Sequence, residues 1–356
     1  MINDHSLVKD NVSTLAQDDV LQVNHLTRVF KTGNLIHPKS KIAVNDVSFR
    51  ISKGSATAIV GESGSGKSTI LNILAGLLPP TTGDVTINQQ HLRAGVRISR
   101  RYRQQVQLVF QDPFSALNPH YTVHQLLDRP LRNFGMGNAS IRYRRINEVL
   151  TLVGLTPAVQ YLTKYPHELS GGQRQRIVIA RAVEVNPELL LADEPTSMLD
   201  MSIRIAILDI LKGLQRENGL AILLVTHDLL AAQHLTDNTL VMYFGRLVEG
   251  GPSHDMIRNP QHPYTQLLLA SVPDPTSRDK WDNLPERTGA VEDSPSEIGC
   301  PFATRCPYVM DACYKTFPPR TWVTNDHWIS CHWFQRTKDS FVSETTRHPD
   351  PGAHAQ

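Results

Sequence analysis

"IVGESGSGKST", residues 59–69 of a 356-residue chain, fits the pattern G-x-x-x-x-G-K-[ST] with Gly61, Gly66, Lys67 and Ser68. Its flanks give the pattern meaning. The apolar run "ATAIVG" leads into it and "KSTILNILAGLL" leads out with helical periodicity, the strand–loop–helix setting in which such a loop holds phosphate. The glycines let the backbone N–H groups of Ser63, Gly64, Ser65 and Gly66 close around phosphate oxygens, while the helix turns the positive end of its dipole toward them. Lys67 is expected to reach the β- and γ-phosphates. The Ser68 hydroxyl, with Thr69 beside it, is expected to meet Mg²⁺. By itself the loop predicts a nucleoside triphosphate and nothing narrower.

Farther along, "ELLLADEP" at 188–195 is an apolar strand that ends in two carboxylates. Adjacent acids after a strand often do no more than cap the next helix. Beside a phosphate loop they have work to do: Asp193 can hold Mg²⁺ through water, and Glu194 stands where a general base or water-orienting group is needed.

The surrounding pattern is that of an α/β protein. Short β-type runs recur from about residue 20 to 110, amphipathic helical patterns occupy 121–183, and from 188 to 250 apolar strands alternate with helices. That last rhythm predicts a parallel sheet with crossover helices. The boundaries expected are a flexible tail over 1–18, a main domain over 19–258 with a helical inset at about 112–180, an extension over 259–333, and a second tail over 334–356. The Pro-, Asp- and Ser-rich stretch 271–298 reads as a linker.

Lys+Arg 36 against Asp+Glu 34 gives a net charge of +2, too balanced to indicate nucleic acid as a partner. The longest apolar runs, such as "LAILLVT" at 220–226, fall well short of the roughly 18 residues that cross a bilayer. "MINDHSLVKDNVSTLAQDD" lacks the apolar core and small-residue cleavage site of a secretory signal. A cytosolic protein is expected.

"HELSGGQRQRIVIARAV" at 167–183 narrows the reading. Taken alone, "LSGGQ" is a helix start capped by Ser170. It also matches the signature of the ATP-binding cassette (ABC) ATPases, and residues from about 20 to 270 resemble that family in the expected order. Gln111 in "LVFQDPFSALNP" resembles the Q-loop glutamine, "TSMLD" at 196–200 with Ser197 and Asp200 resembles the D-loop, and His227 in "LLVTHD" resembles the switch histidine. Met198 departs from the small residue usual in the D-loop. The resemblance implies a P-loop NTPase cassette: a RecA-like core with an antiparallel β subdomain and a helical subdomain. It implies ATP and Mg²⁺ as ligands, with Ser68, Gln111 and Asp193 around the metal. It also implies head-to-tail dimers in which Ser170, Gly171, Gly172 and Gln173 meet the nucleotide of the other subunit. Phe30, in "HLTRVFKTG", is expected at the end of the first strand, where the family stacks adenine. "TGNLIHPKSK" at 32–41 lengthens the path from there to the phosphate loop.

Only one cassette is present, and no long helical insertion lies between Lys67 and Ser170. That resembles a transporter motor subunit more than the chromosome-maintenance or translation-associated members. "NPQHPYTQLLLASVPDP" at 259–275 is a Pro-started amphipathic helix that resembles the C-terminal extension of oligopeptide and dipeptide importer ATPases. The implied partners are two membrane permease subunits, a second homologous ATPase and an extracytoplasmic substrate-binding protein, with the chain at the cytoplasmic face of the membrane. Oligosaccharides or nickel are alternative cargoes, and a soluble ATPase acting on nucleic acid or ribosomes is an alternative of another class.

All four cysteines fall late: Cys300, Cys306, Cys313 and Cys331, at gaps of five, six and seventeen residues. Structural zinc favours tighter pairs, whereas looser thiolate sets with flanking prolines, here Pro301 and Pro307, suit iron–sulfur clusters. Some importer ATPases that this extension resembles carry a [4Fe–4S] cluster there. The expectation is one shared metal centre, with a [4Fe–4S] cluster, zinc and unliganded thiols as the readings open. His327 and His332 are substitute ligands in the zinc reading.

Overall fold

The computed structural model describes residues 18–34, 37–92, 98–271 and 298–337. The chain opens with a long antiparallel hairpin, β1 (Asp19–Asn34) and β2 (His37–Ser52), followed by β3 (Ala56–Val60) and α1 (Lys67–Leu74). Strands β4 (Thr82–Ile87) and β5 (Gln90–Leu92) return to the hairpin and complete a four-stranded antiparallel sheet in the order β2-β1-β4-β5.

Helix α2 (Arg100–Gln105) leads into β6 (Val106–Val109). The helical inset then runs through α3 (Pro113–Ala116), α4 (Val123–Asn133), α5 (Ala139–Leu152), α6 (Val159–Leu162) and α7 (Gly171–Val183). Its caps are written in the sequence: Thr122 with Gln125 and Ser170 with Gln173 each form a reciprocal capping box, and Asn138 caps α5.

Four elements follow in alternation: β7 (Leu189–Asp193), α8 (Met201–Asn218), β8 (Ala221–Thr226) and α9 (Leu229–Leu235). Next come β9 (Asn238–Tyr243), β10 (Arg246–Pro252), α10 (Ser253–Arg258) and α11 (Pro263–Ala270). After residue 298, α12 (Asp311–Lys315), β11 (Thr321–Trp322) and β12 (Trp328–Ile329) complete the described chain.

Strands β6, β7, β8, β3 and β9 pair in parallel. The sheet rhythm expected over 188–250 is therefore present. Alternate residues of one strand enter different cores: Ala58 and Val60 pack toward the helices, and Ile59 packs toward the antiparallel sheet. This two-sided burial explains why the parallel strands read as continuous apolar runs rather than as alternation.

Three details differ from the sequence reading. Residues 32–34 and 37–41 extend the β1–β2 hairpin, with pairing that continues from Phe30–Lys41 to Asn34–His37. Phe30 therefore lies within β1 rather than at its end. Helix α1 stops at Leu74, because Gly76 turns the chain at φ +70°. Most consequentially, the cysteine-bearing extension is not laid beside the core. Trp328 and Ile329 of β12 pair antiparallel with Gly250 and Glu249 of β10, which adds two strands to the main sheet in the order β11-β12-β10-β9-β3-β8-β7-β6. Residues 332–337, in part assigned to the second tail, are helical. The first tail (but for Asp18), the 272–297 linker and residues 338–356 lie outside the described residues. Among the described residues, no helix is long and apolar enough to cross a membrane.

Candidate nucleotide site

Strand β3 delivers the chain to Gly61, whose missing side chain is a requirement: a Cβ there would lie 2.1 Å from the Met242 carbonyl oxygen. Gly66, at φ +107°, is constrained twice over, since a Cβ would also meet the Ala43 carbonyl oxygen at 2.1 Å. Helix α1 starts at once after Gly66, and no side chain caps it. Its first N–H groups are therefore left for a ligand. Lys67 is buried, and its ammonium donates to the carbonyl oxygens of Gly61 and Glu62, each at 2.7 Å, and to Ser65 Oγ at 3.3 Å. Burial lowers its pKa, and Glu194, Asp193 and Glu62 pull the other way. A cation held ready among neutral carbonyls is suited to receive phosphate.

Parallel pairing brings the end of β7 to this loop. Ser68 Oγ donates to Asp193 Oδ1 at 3.2 Å, and burial raises the Asp193 pKa against the pull of that bond. Glu194 adopts φ +42°, a left-handed conformation rare for a side chain of this size, at a cost of about 1–3 kcal/mol that its surroundings must meet. Its amide donates to the Val225 carbonyl at 2.8 Å. Its carboxylate accepts from Gln111 Nε2 at 3.2 Å and contacts His227 Nδ1 at 3.1 Å. Three residues separated by 33 and 83 positions thus meet on one carboxylate. Ser68 and Asp193 are brought together by their hydrogen bond, Gln111 reaches the adjacent Glu194, and the three carry hydroxyl, carboxylate and amide oxygens, the donor types that Mg²⁺ takes.

The signature residues are placed differently. Ser170 caps α7: its Oγ accepts from the Gln173 amide at 3.3 Å, and Gln173 Oε1 accepts from the Ser170 amide at 3.0 Å. Gly172 lies against α8, where a Cβ would approach Ile203 Cγ2 at 2.8 Å. Ser197 Oγ donates to the Glu194 carbonyl at 3.1 Å, which ties the 196–200 turn to the end of β7. Asp200 is exposed and starts α8 without a side-chain cap bond. Phe30 is half-buried with Arg28 over its ring at 4.8 Å.

The four thiols are buried and gathered. Cys300 is pushed up to about 12 by burial, with Cys313, Cys331 and Cys306 adding to the effect, and Cys331 is raised in the same way. Their donor chemistry suits soft metals. Among the described residues, however, no group of three or more His, Cys, Asp or Glu side chains is placed to hold a metal ion. The shared centre expected from sequence is therefore not a formed site in this geometry. The histidines are engaged elsewhere: His327 Nε2 meets the buried Glu249 carboxylate at 2.7 Å, and His332 Nε2 lies 3.0 Å from the Thr316 carbonyl.

Sequence reasoning missed three residues at the loop itself. The Glu62 carboxylate accepts from both Arg305 terminal nitrogens at 2.9–3.1 Å, and the Glu62 amide donates to the Tyr264 hydroxyl at 2.8 Å. Arg305 and Glu62 are 243 positions apart, and neither belongs to a motif with required identity, so no local signal marked them.

Comparison with known proteins agrees with this geometry. The ABC transporter family profile matches residues 44–197, and the profile "Oligopeptide/dipeptide transporter, C-terminal region" matches residues 248–313. The oligopeptide transport ATP-binding protein AppF of Bacillus subtilis is 39% identical over 298 residues, 82% of this chain and 89% of its own length. The chain belongs to the ABC transporter ATP-binding family. OppF of Haemophilus influenzae, another oligopeptide transport ATP-binding protein, is 37% identical over 328 residues, 88% of this chain and 96% of its own. Among solved structures, a dimeric ATP-binding cassette in a post-hydrolysis state bound to ADP and Pi is similar at TM-score 0.58 and 30% identity, covering 65% of this chain and 98% of that one. As a member of this family the chain is an ATPase, and its fold is that of the cassette.

Proposed function

We propose that this chain is the ATP-hydrolysing motor subunit of an importer for oligopeptides or dipeptides, working at the cytoplasmic face of the membrane with two permease subunits. One observation carries the reading: a cassette profile and the oligopeptide/dipeptide C-terminal profile occur in one chain, with relatives named for oligopeptide transport along most of its length. Among the described residues no helix is long and apolar enough to cross a membrane, which supports permeases on separate chains. A second homologous ATPase and an extracytoplasmic substrate-binding protein complete the proposed assembly.

In the proposed mechanism Lys67 leaves its carbonyl ligands for the β- and γ-phosphates, and the loop amides from Ser63 to Thr69 surround the phosphate oxygens. Ser68, Gln111 and Asp193 would hold Mg²⁺, which would supply charge neutralisation when bound. Glu194 orients the attacking water and takes its proton, and His227 holds the γ-phosphate. Phe30 is the candidate adenine platform. Its place on β1 beside Arg28 leaves that role less constrained by geometry than the others. The signature residues Ser170–Gln173 are proposed to close on the nucleotide of the partner ATPase, with Ser197 and Asp200 crossing the same interface. Support comes from the exposed apolar side chains Met198, Met201 and Ile205 around that turn, a surface that favours a protein partner. Hydrolysis removes the γ-phosphate that both halves grip, so the pair separates. A cavity of about 790 Å³ between the inset and the core, lined in part by Arg100, Tyr121, Arg129 and Phe134, is the proposed seat of a permease helix.

The experiment is co-expression with the permease subunits, followed by uptake into vesicles. Oligopeptide-dependent ATP hydrolysis that Glu194→Gln abolishes is expected. Hydrolysis stimulated by nickel or oligosaccharides but not by peptides would overturn the substrate assignment. The finer reading of the thiols, a [4Fe–4S] cluster or zinc, is supported by their gathering alone. Iron, zinc and acid-labile sulfide analysis of anaerobically purified protein tests it, and metal-free protein ends it.

A further inference from the structure

Glu62 is an unusual neighbour for a phosphate loop. Its carboxylate adds negative charge where the ligand is a polyphosphate, and its backbone is part of the loop itself. Three contacts meet on this residue. Its carbonyl receives the Lys67 ammonium at 2.7 Å, its amide donates to the Tyr264 hydroxyl at 2.8 Å, and its carboxylate is gripped by Arg305. Two of the three come from beyond the cassette. Tyr264 lies on α11, and Arg305 lies in the thiol loop between Cys300 and Cys306.

The mounting of these two residues is rigid. Tyr264 is fully buried, and its ring lies 4.4 Å from Tyr243 and 5.4 Å from Phe302. Phe302 meets Tyr243 edge-on at 5.3 Å, an arrangement such rings favour. Arg305 also donates to the Tyr243 hydroxyl at 3.2 Å, and its side chain is only 17% exposed. The loop that carries it is pinned by the Cys300 amide on the Cys313 carbonyl at 2.7 Å. Both terminal nitrogens of the guanidinium donate to one carboxylate, which fixes direction as well as charge.

We propose that Arg305 and Tyr264 are positioning residues for ATP binding: the extension holds Glu62, and with it the phosphate loop, in the form that accepts the nucleotide. Arg305 neutralises the carboxylate and keeps it turned away from the incoming phosphates. Tyr264 fixes the peptide whose carbonyl parks Lys67. Any rearrangement of the 300–313 loop moves Arg305 and so reaches the phosphate loop without touching the ligand.

The test uses the purified full chain and MgATP titrated calorimetrically, with nucleotide-free thermal unfolding measured alongside. Arg305→Gln is expected to weaken MgATP binding about tenfold, because the unneutralised carboxylate faces the phosphates. Adding Glu62→Gln to it is expected to bring affinity back to within about twofold of the parent, because the charge that Arg305 neutralises is then gone. Rescue separates charge positioning from plain structural support, which a second substitution would not repair. Tyr264→Phe, which removes one oxygen from a packed ring, is expected to weaken binding about threefold and stands as the reading should Arg305→Gln fail to fold. Unchanged affinity in Arg305→Gln and Tyr264→Phe overturns the proposal. So does a double variant as weak as Arg305→Gln.

Discussion

Two helix starts in this molecule look alike in sequence and differ in what they leave open. At α1 the chain enters through Gly66 with no side-chain cap, and the nearest cation, Lys67, is held by loop carbonyls. At α7 the chain enters through Ser170 and satisfies itself, with serine and glutamine exchanging backbone bonds across one turn. Both starts are Gly- and Ser-rich, and both point a helix dipole outward. The uncapped start leaves its first N–H groups open, as the proposed phosphate site requires. The capped start is complete without a ligand, which fits its proposed role of meeting the nucleotide of a partner.

The sharpest break in this comparison comes from the residue proposed to turn binding into reaction. Glu194 is held in a left-handed conformation by the Val225 carbonyl and touches both Gln111 and His227. Glu194→Gln keeps the shape and removes the proposed base. Phosphate release is expected to fall about 10²–10⁴-fold, with MgATP affinity within a few-fold of the parent. An affinity loss as large as the rate loss would place Glu194 in binding rather than in chemistry.

A third helix start adds a cap that acid can switch off. His262 Nδ1 accepts from the Tyr264 amide at 3.1 Å at the start of α11, so this nitrogen must be unprotonated. Burial lowers its pKa to about 4 from 6.5, against the pull of Glu249. The unfolded chain takes up a proton below pH 6.5, while the folded chain refuses it until about 4. Stability from this group is therefore complete above pH 6.5 and falls as pH drops through that window, by up to about 3 kcal/mol. Glu249 and His327 form an ion pair beside this ring, so the informative quantity is a difference. His262→Asn retains a cap acceptor, and urea unfolding at pH 7.5 and 5.0 is expected to show a smaller loss in the variant than in the parent. Equal losses would show that this cap is not what acid removes.

The glycines of the phosphate loop give a graded version of the same contrast. Gly64 and Gly66 both have positive φ, but a Cβ on Gly64 would meet nothing within 4 Å, whereas on Gly66 it would strike the Ala43 carbonyl at 2.1 Å. Gly66→Ala is expected to cost about 1–3 kcal/mol of stability and to abolish MgATP binding. Gly64→Ala is expected to cost about 1 kcal/mol, from conformation alone. Thermal unfolding and calorimetry of the two variants check this, and equal effects would mean that strain, not contact, fixes the loop.

The same contrast explains what could be read from sequence. The phosphate loop, the capped start of α7 and the strand–helix rhythm after Glu188 are local patterns, and each was legible. Gln111 and His227 have no local chemistry that marks them; they were placed by resemblance, and the parallel register of β6, β7 and β8 then brings them to Glu194. What could not be read arises from pairing across the chain. The β12–β10 ladder joins the extension to the main sheet through two short strands that carry no strand-length signal. His327 looked like a candidate ligand because its partner, Glu249, lies 78 positions away. The thiol spacing suggested a shared centre, yet spacing fixes which donors are available and not how closely they are set.

The smallest effect tests the capped start directly. Ser170→Ala removes the acceptor of the Gln173 amide and breaks that half of the box, while the backbone N–H at position 170 remains to donate to Gln173 Oε1. In the nucleotide-free single chain the cost is expected to be about 1 kcal/mol, the ordinary worth of a serine cap, seen as a modest fall in unfolding temperature. MgATP affinity of the single chain should not move, because nothing at Gly61–Thr69 depends on that hydroxyl. In the assembled pair, hydrolysis should fall further than stability does, because there the same hydroxyl is proposed to serve a second ligand. A loss of affinity in the single chain would mean that the two helix starts communicate within one subunit. A hydrolysis loss no larger than the stability loss would leave Ser170 as a cap and nothing more.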